Sequence, residues 1–192
     1  MLGVPRLVLV NSYPYVGVFF FSGAGQAVDN DDGSAWYNIH HNVFYLGGGL
    51  KSDYAGHDKQ YHHNLNIGLN GFGICGNFCE YEAGHADSCF NNTAIQANND
   101  RTNAYASLRG CNMSLPHCLQ TAEEASDHLG LLVMHGNTVY NTNASKPVQC
   151  GGVRYTIEEL HEGCGVGAGD RVTAELPSDG EIVGWARELL GM

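Results

Sequence analysis

The sequence predicts an all-β solenoid, and three observations carry the prediction. The chain repeats itself: Gly56-His57-Asp58-Lys59-Gln60-Tyr61-His62-His63-Asn64 aligns with Gly84-His85-Ala86-Asp87-Ser88-Cys89-Phe90-Asn91-Asn92, an offset of 28 residues (56 to 84). The same ending occurs upstream as Ile39-His40-His41-Asn42-Val43-Phe44 and downstream as Met134-His135-Gly136-Asn137-Thr138-Val139. Each copy sets a bulky apolar residue or Cys three places before its Asn and a strand-forming residue after it. Finally, Gly makes up 26 of 192 residues, about twice the usual ~7%, as expected where every coil must turn corners. A period of twenty-odd residues with β character means one short coil per repeat, stacked on the next.

The I-x-x-N-x-V/F pattern at this period resembles the right-handed parallel β-helix proteins of the pectate-lyase-like superfamily. The resemblance covers residues 28–155. It implies that Asn42, Asn64, Asn92 and Asn137 stack as a ladder along one edge, with Ile39, Tyr61, Cys89 and Met134 facing inward. The local reason for Asn is that it tolerates the left-handed conformation and can satisfy backbone groups that a sheet corner leaves unpaired. The expected layout is one β-helix domain over residues 1–175, lacking upstream coils, followed by a C-terminal helix over 176–192.

Taken in order, Val16–Phe21 reads as buried strand. Asn11, Ser12 and Pro14 interrupt any signal-peptide core, so no clear leader is visible and the chain reads as beginning inside a β-helix. Asp29-Asn30-Asp31-Asp32-Gly33-Ser34 reads as a polar turn, either solvated or a calcium-binding or acid-pair loop. Trp36–Tyr45 is the first clear coil, and Gly47-Gly48-Gly49 turns into Leu50. Residues 96–128 read as a polar insertion that leaves the coil, with a capping box at Thr121–Glu124. Leu129–Tyr140 returns to strand. Thr156–Glu159 and Ser178–Glu181 are further capping boxes, and the second opens a helix with an apolar stripe of Ile182, Trp185, Ala186 and Leu189. Such a helix is expected to cover the open end of the solenoid.

The most chemically loaded stretch is Leu50–Asp58, with its stacked counterpart one coil later. Lys51, Asp53, Tyr54, His57 and Asp58 fall there, and Glu80 and His85 fall in the matching region. Stacked coils lie ~4.8 Å apart, so His57 should neighbour His85, and His40 should neighbour His62. These histidines fit a divalent metal site, acid–base catalysis, or a stack of like residues on an exposed face. Many members of the resembled family act on acidic polysaccharides. Lys51 or His57 would then be the base and Tyr54 the acid, with Ca2+ held by Asp53, Asp58, Glu80 and His85. The sequence departs from that family in having no Arg near Lys51 and none of its full hydrolase or epimerase motifs. A non-catalytic glycan-binding solenoid is the alternative.

Charge and cysteines narrow the partners. Nine Lys+Arg against 20 Asp+Glu give a net charge of −11, which argues against nucleic acid or an anionic membrane. No apolar run is long enough to span a bilayer. Seven Cys without a Cx2C pair read as disulfides plus one odd thiol, with Cys111–Cys118 bridged and at least one of Cys75 and Cys79 also bridged. Sequons at Asn91, Asn112 and Asn143 add to an extracellular, secreted reading. The expectation is a monomer acting on polysaccharide.

Overall fold

The computed structural model describes residues 18–20, 26–30, 35–46, 48–52, 58–68, 75–76, 87–96, 106–108, 132–141, 148–150, 153–164 and 167–192. Sixteen short strands and two helices form there. In chain order the strands are β1 (Val18–Phe20), β2 (Gln26–Asn30), β3 (Asn38–His40), β4 (Val43–Tyr45), β5 (Gly48–Ser52), β6 (Gln60–His62), β7 (Leu65–Ile67) and β8 (Cys75–Gly76). They continue with β9 (Asp87–Phe90), β10 (Thr93–Gln96), β11 (Ala106–Leu108), β12 (Leu132–His135), β13 (Thr138–Asn141), β14 (Val148–Cys150), β15 (Val153–Tyr155) and β16 (Arg171–Thr173). The helices are α1 (Ile157–Cys164), between β15 and β16, and α2 (Asp179–Leu189) at the C-terminal end.

Strands three apart in sequence pair with each other. Sheet A runs β1-β4-β7-β10-β13-β16, sheet B runs β15-β14-β11-β8-β5-β2, and sheet C runs β12-β9-β6-β3. Every pairing is parallel except β14 with β15. Each turn of chain therefore gives one strand to each sheet before stacking on the turn below. This is an all-β fold of parallel solenoid type.

Register puts like on like in the interior. Ile39, Tyr61, Cys89 and Met134 align across sheet C, and all four are buried. Phe44, Asn66, Ala94 and Val139 align as the inward row of sheet A. Tyr61 bridges the two rows: its hydroxyl donates to Asn66 Oδ1 at 2.7 Å, and its ring lies 6.0 Å from that of Phe44. Burial pushes the Tyr61 phenol well above its ordinary range, so it stays a donor.

Three local readings are corrected. The turn placed at Asp29–Ser34 begins later, because β2 runs on through Asn30. Gly48 and Gly49 lie inside β5 and not in a corner. Part of the proposed insertion is coil: β11 pairs with both β8 and β14. A three-residue strand is too short to show a period of its own, yet parallel neighbours on both sides fix it.

The C-terminal helix also lies elsewhere than expected. Ile182, Trp185, Ala186, Leu189 and Leu190 pack against Val43, Leu65 and Ile95, with Ile67 and Tyr140 beside them. These contacts set α2 along the outer face of sheet A, not over the solenoid's end. The cause is in the strands after the ladder asparagines, whose outward positions carry Val43, Leu65, Ile67, Ile95 and Tyr140 and so need cover. Two of the three expected capping boxes form: Glu159 N–H donates to Thr156 Oγ1 at 3.0 Å, and Ser178 with Glu181 close reciprocally at the start of α2; Thr121–Glu124 lies outside the described residues.

Candidate functional site: the histidine corner

The corner between sheets C and A is built by two adjacent positions in every coil. The first of them is left-handed: His41 (φ 54°), His63 (φ 52°), Asn91 (φ 53°) and Gly136 (φ 68°). The second is the ladder Asn, which is absent from the left-handed set. Sequence reasoning gave the left-handed role to the ladder Asn, and the structure moves it one residue earlier. Gly136 is the one glycine among the four, and a Cβ there would take the space that Asn91 Oδ1 occupies.

The ladder asparagines are linked amide to amide. Asn64 Oδ1 accepts from Asn42 N–H at 3.0 Å and from Asn42 Nδ2 at 3.1 Å. Asn92 Oδ1 serves Asn64 in the same way, and Asn137 Oδ1 serves Asn92. The remaining amide hydrogens reach backbone carbonyls, as in Asn64 Nδ2 to Ile39 O at 2.9 Å and Asn92 Nδ2 to Tyr61 O at 2.9 Å. Sequence reasoning missed a fifth rung, Asp170, whose Oδ1 accepts from Asn137 N–H. Burial pushes its carboxyl up to about 7, and the Asn137 N–H works against that rise. Asn64→Ala should cost about 1–3 kcal/mol by stranding buried corner groups, measured as the loss of unfolding free energy in urea. A loss indistinguishable from zero would show the ladder to be decorative.

Outside the ladder stands a stack of rings. His40 and His62 lie parallel at 5.0 Å, His62 and Phe90 at 4.6 Å, and Phe90 and His135 at 5.0 Å. His41 and His63 form a second stack at 5.1 Å. The signal for Phe90 and His135 was available, since each sits two residues before its ladder Asn. Within a coil the histidines bond through their Nδ1 atoms at 2.8 Å, His40 to His41 and His62 to His63.

The network selects tautomers. Asn38 Oδ1 accepts from His62 Nε2–H at 2.9 Å, so His62 Nδ1 accepts from His63 Nδ1–H. His63 Nε2 then carries the lone pair that faces Asn91 Nδ2 at 3.4 Å. A proton added to His62 breaks this chain. Burial, then repulsion from His40, His63 and His41, holds the His62 pKa down to about 4. Burial and neighbouring histidines also hold His40 and His63 below the ordinary imidazole value. A depressed imidazole contributes stability that is whole above pH ~6.5 and is lost as pH falls through the folded value. His62→Phe, which copies Phe90, should therefore shrink the drop in Tm between pH 7 and pH 4.5. An unchanged drop would remove His62 as its source.

The sequence-derived catalytic and metal residues are placed less fully. Lys51 lies on β5, with Asp29 of β2 at the same register. Asp58 is half-buried at a left-handed turn (φ 53°) leading into β6. Asp53, Tyr54, His57, Glu80 and His85 lie outside the described residues, as do Asn112, Asn143, Cys111 and Cys118. Among the described residues no group of three or more His, Cys, Asp or Glu is placed to hold a metal ion. Cys89, at its inward position, is disulfide-bonded.

Sequence reasoning also passed over two further features. One is a buried ion pair, Lys59 Nζ to Asp87 Oδ2 at 3.5 Å, with the Lys59 N–H donating to Asp87 Oδ1 at 2.8 Å. The other is an open groove of about 150 Å³ where α2 meets the corner, lined by His63, Asn64, Leu65, Asn91, Thr93, Trp185 and Leu189. Trp185 is held there by a stacked contact with Tyr140 at 5.6 Å.

Fold and corner together define a β-rich protein of parallel solenoid type, with an asparagine ladder and a stacked imidazole rib. No protein-family model, curated protein or solved structure matches the chain. Among the described residues no helix is long and apolar enough to cross a membrane.

Proposed function

We propose that the chain is a secreted, right-handed parallel β-helix of the pectate-lyase-like kind that binds polysaccharide along the outer face of sheet C. The observation that carries this reading is the rib itself. Ring-bearing residues stack at one-coil spacing through His40, His62, Phe90 and His135. Beside them runs a second outward row of Asn38, Gln60 and Ser88. Depressed pKa values keep His40 and His62 neutral near pH 7, so a chain of net charge −11 presents uncharged hydrogen-bonding groups along that part of the rib. A regular row of such groups suits a regular polymer. The Cys89 disulfide supports an oxidising compartment.

Catalysis is the second reading, favoured by the in-register placement of Lys51 against Asp29. There Lys51 or His57 would be the base and Tyr54 the acid of an elimination. Ca2+ on Asp53, Asp58, Glu80 and His85 would neutralise the uronate.

One experiment separates the two. The protein is incubated with alginate, pectate and uncharged xylan or cellulose, with and without Ca2+, while bound polymer and ultraviolet absorbance of unsaturated product are followed. Binding without new absorbance, lost in a His40→Ala/His62→Ala variant, is the expected result. Turnover abolished by Lys51→Ala would establish the lyase reading instead. Absence of both binding and turnover on every polymer would end both.

A further inference from the structure

We propose that Asn91 carries an N-linked glycan whose first sugar seats in the groove against Trp185, tying the solenoid corner to helix α2. The proposal rests on the secreted reading above but not on polysaccharide binding. Asn91-Asn92-Thr93 is an acceptor sequence, and Asn91 stands exposed at a left-handed corner. Its side chain is oriented: Oδ1 occupies the space over Gly136 that a Cβ would need. Nδ2, the atom that would carry sugar, lies 3.4 Å from His63 Nε2, and His63 is itself part of the groove wall.

The attachment is a glycosyl transfer from a lipid-linked diphospho-oligosaccharide, catalysed by a host transferase. A bond forms between Nδ2 and the sugar's C1, and the C1–O bond to the diphosphate breaks. The diphosphate leaves on its lipid, and Nδ2 gives up one proton. The second amide hydrogen remains, so the contact with His63 Nε2 survives glycosylation.

The groove suits what would be attached. A pyranose has an apolar face of C–H groups and a rim of hydroxyls. Here Trp185, Leu189 and Leu65 supply apolar wall, His63 and Thr93 supply polar partners, and no lining residue is a carboxylate, Lys or Arg. The groove has a volume of about 150 Å³ and is open to solvent, so a ring can lie against the tryptophan without being enclosed. Trp185 belongs to α2 and Asn91 to the turn between β9 and β10, so a seated sugar touches both elements. That would strengthen the packing of a helix none of whose residues is fully buried.

The full chain, exported behind a host leader from a eukaryotic cell, tests this. Glycopeptide mass spectrometry should find Asn91 occupied. Enzymatic removal of the glycan should lower Tm by about 2–4 °C and speed amide hydrogen exchange in residues 179–189. Leu189→Ala and Trp185→Ala should each blunt that response, and the exchange measurement on the unmutated chain stands even if either variant folds poorly. Folded, exported protein with Asn91 bare overturns the proposal alone. Asn91 occupied but with helix exchange indifferent to the glycan overturns the docking. A chain that misfolds on export yet folds in the cytosol of the same host removes the secreted reading and the proposal with it.

Discussion

Asp87→Ala is expected to cost about 3–5 kcal/mol of folding stability. Lys59 is 1% exposed and Asp87 3% exposed, and their charges meet at 3.5 Å. Lys59 lies one residue before β6 and Asp87 opens β9, in adjacent coils. The carboxylate serves two roles at once, since its other oxygen accepts the backbone N–H of Lys59. Truncation would remove a charge facing a buried ammonium and a hydrogen bond between coils, each costly in a low-dielectric interior. Asp87→Asn, which can keep the backbone hydrogen bond, should lose less. Replacing both partners with apolar residues of similar size should recover much of the loss. Urea unfolding of the three variants against the parent checks this. A penalty for Asp87→Ala below about 1 kcal/mol, the scale of a surface pair, would mean that the pair is solvated.

That ion pair marks where the sequence stopped being legible. The period, the four asparagines and the inward row from Ile39 to Met134 could be read directly, because each is a local residue type recurring at a fixed offset. A stack of His40 on His62 could be read for the same reason. The pairing of Lys59 with Asp87 could not. Both sit inside the nine-residue self-match, but different residues face each other across the coils, and repeat logic looks only for identity. Hydropathy then places a lysine outside. The packing of α2 was hidden for a related reason. Val43, Leu65, Ile67 and Ile95 read simply as strand formers, and their split between inward and outward rows depends on register, which the sequence does not display. The ladder's last rung escaped because Asp170 breaks the residue type while keeping the geometry. Trp185 and the corner share a groove only because the chain's last helix returns to its middle coils. The catalytic cluster drawn from Lys51 to His85 rested on density of titratable residues, and density carries no geometric specificity.

Asp170→Asn is expected to raise stability at pH 8 relative to the parent, by about 2–3 kcal/mol, and to change it little at pH 4. Asp170 takes the place that asparagine holds on every other rung, and its Oδ1 accepts the Asn137 N–H as the amides do. Burial pushes its carboxyl from the ordinary 3.8 up to about 7. The folded state therefore binds a proton more readily than the unfolded chain between those values. For a group raised in this way, stability is fully present below the unfolded pKa and is lost as pH rises through the folded one. A rise of that size corresponds to about 4 kcal/mol at most, and partial exposure to solvent brings it down to about 2–3. An amide at 170 keeps the acceptor and never ionises, so the penalty above pH 7 should vanish. The window runs opposite to that of His62, whose contribution is lost toward acid. The informative quantity is thus the difference between variant and parent, which cancels the histidines. Unfolding free energies of both proteins, measured at intervals from pH 4 to pH 8, should diverge steadily and level off above pH 7. A difference that stays flat across that range would show that Asp170 titrates as an ordinary surface carboxylate.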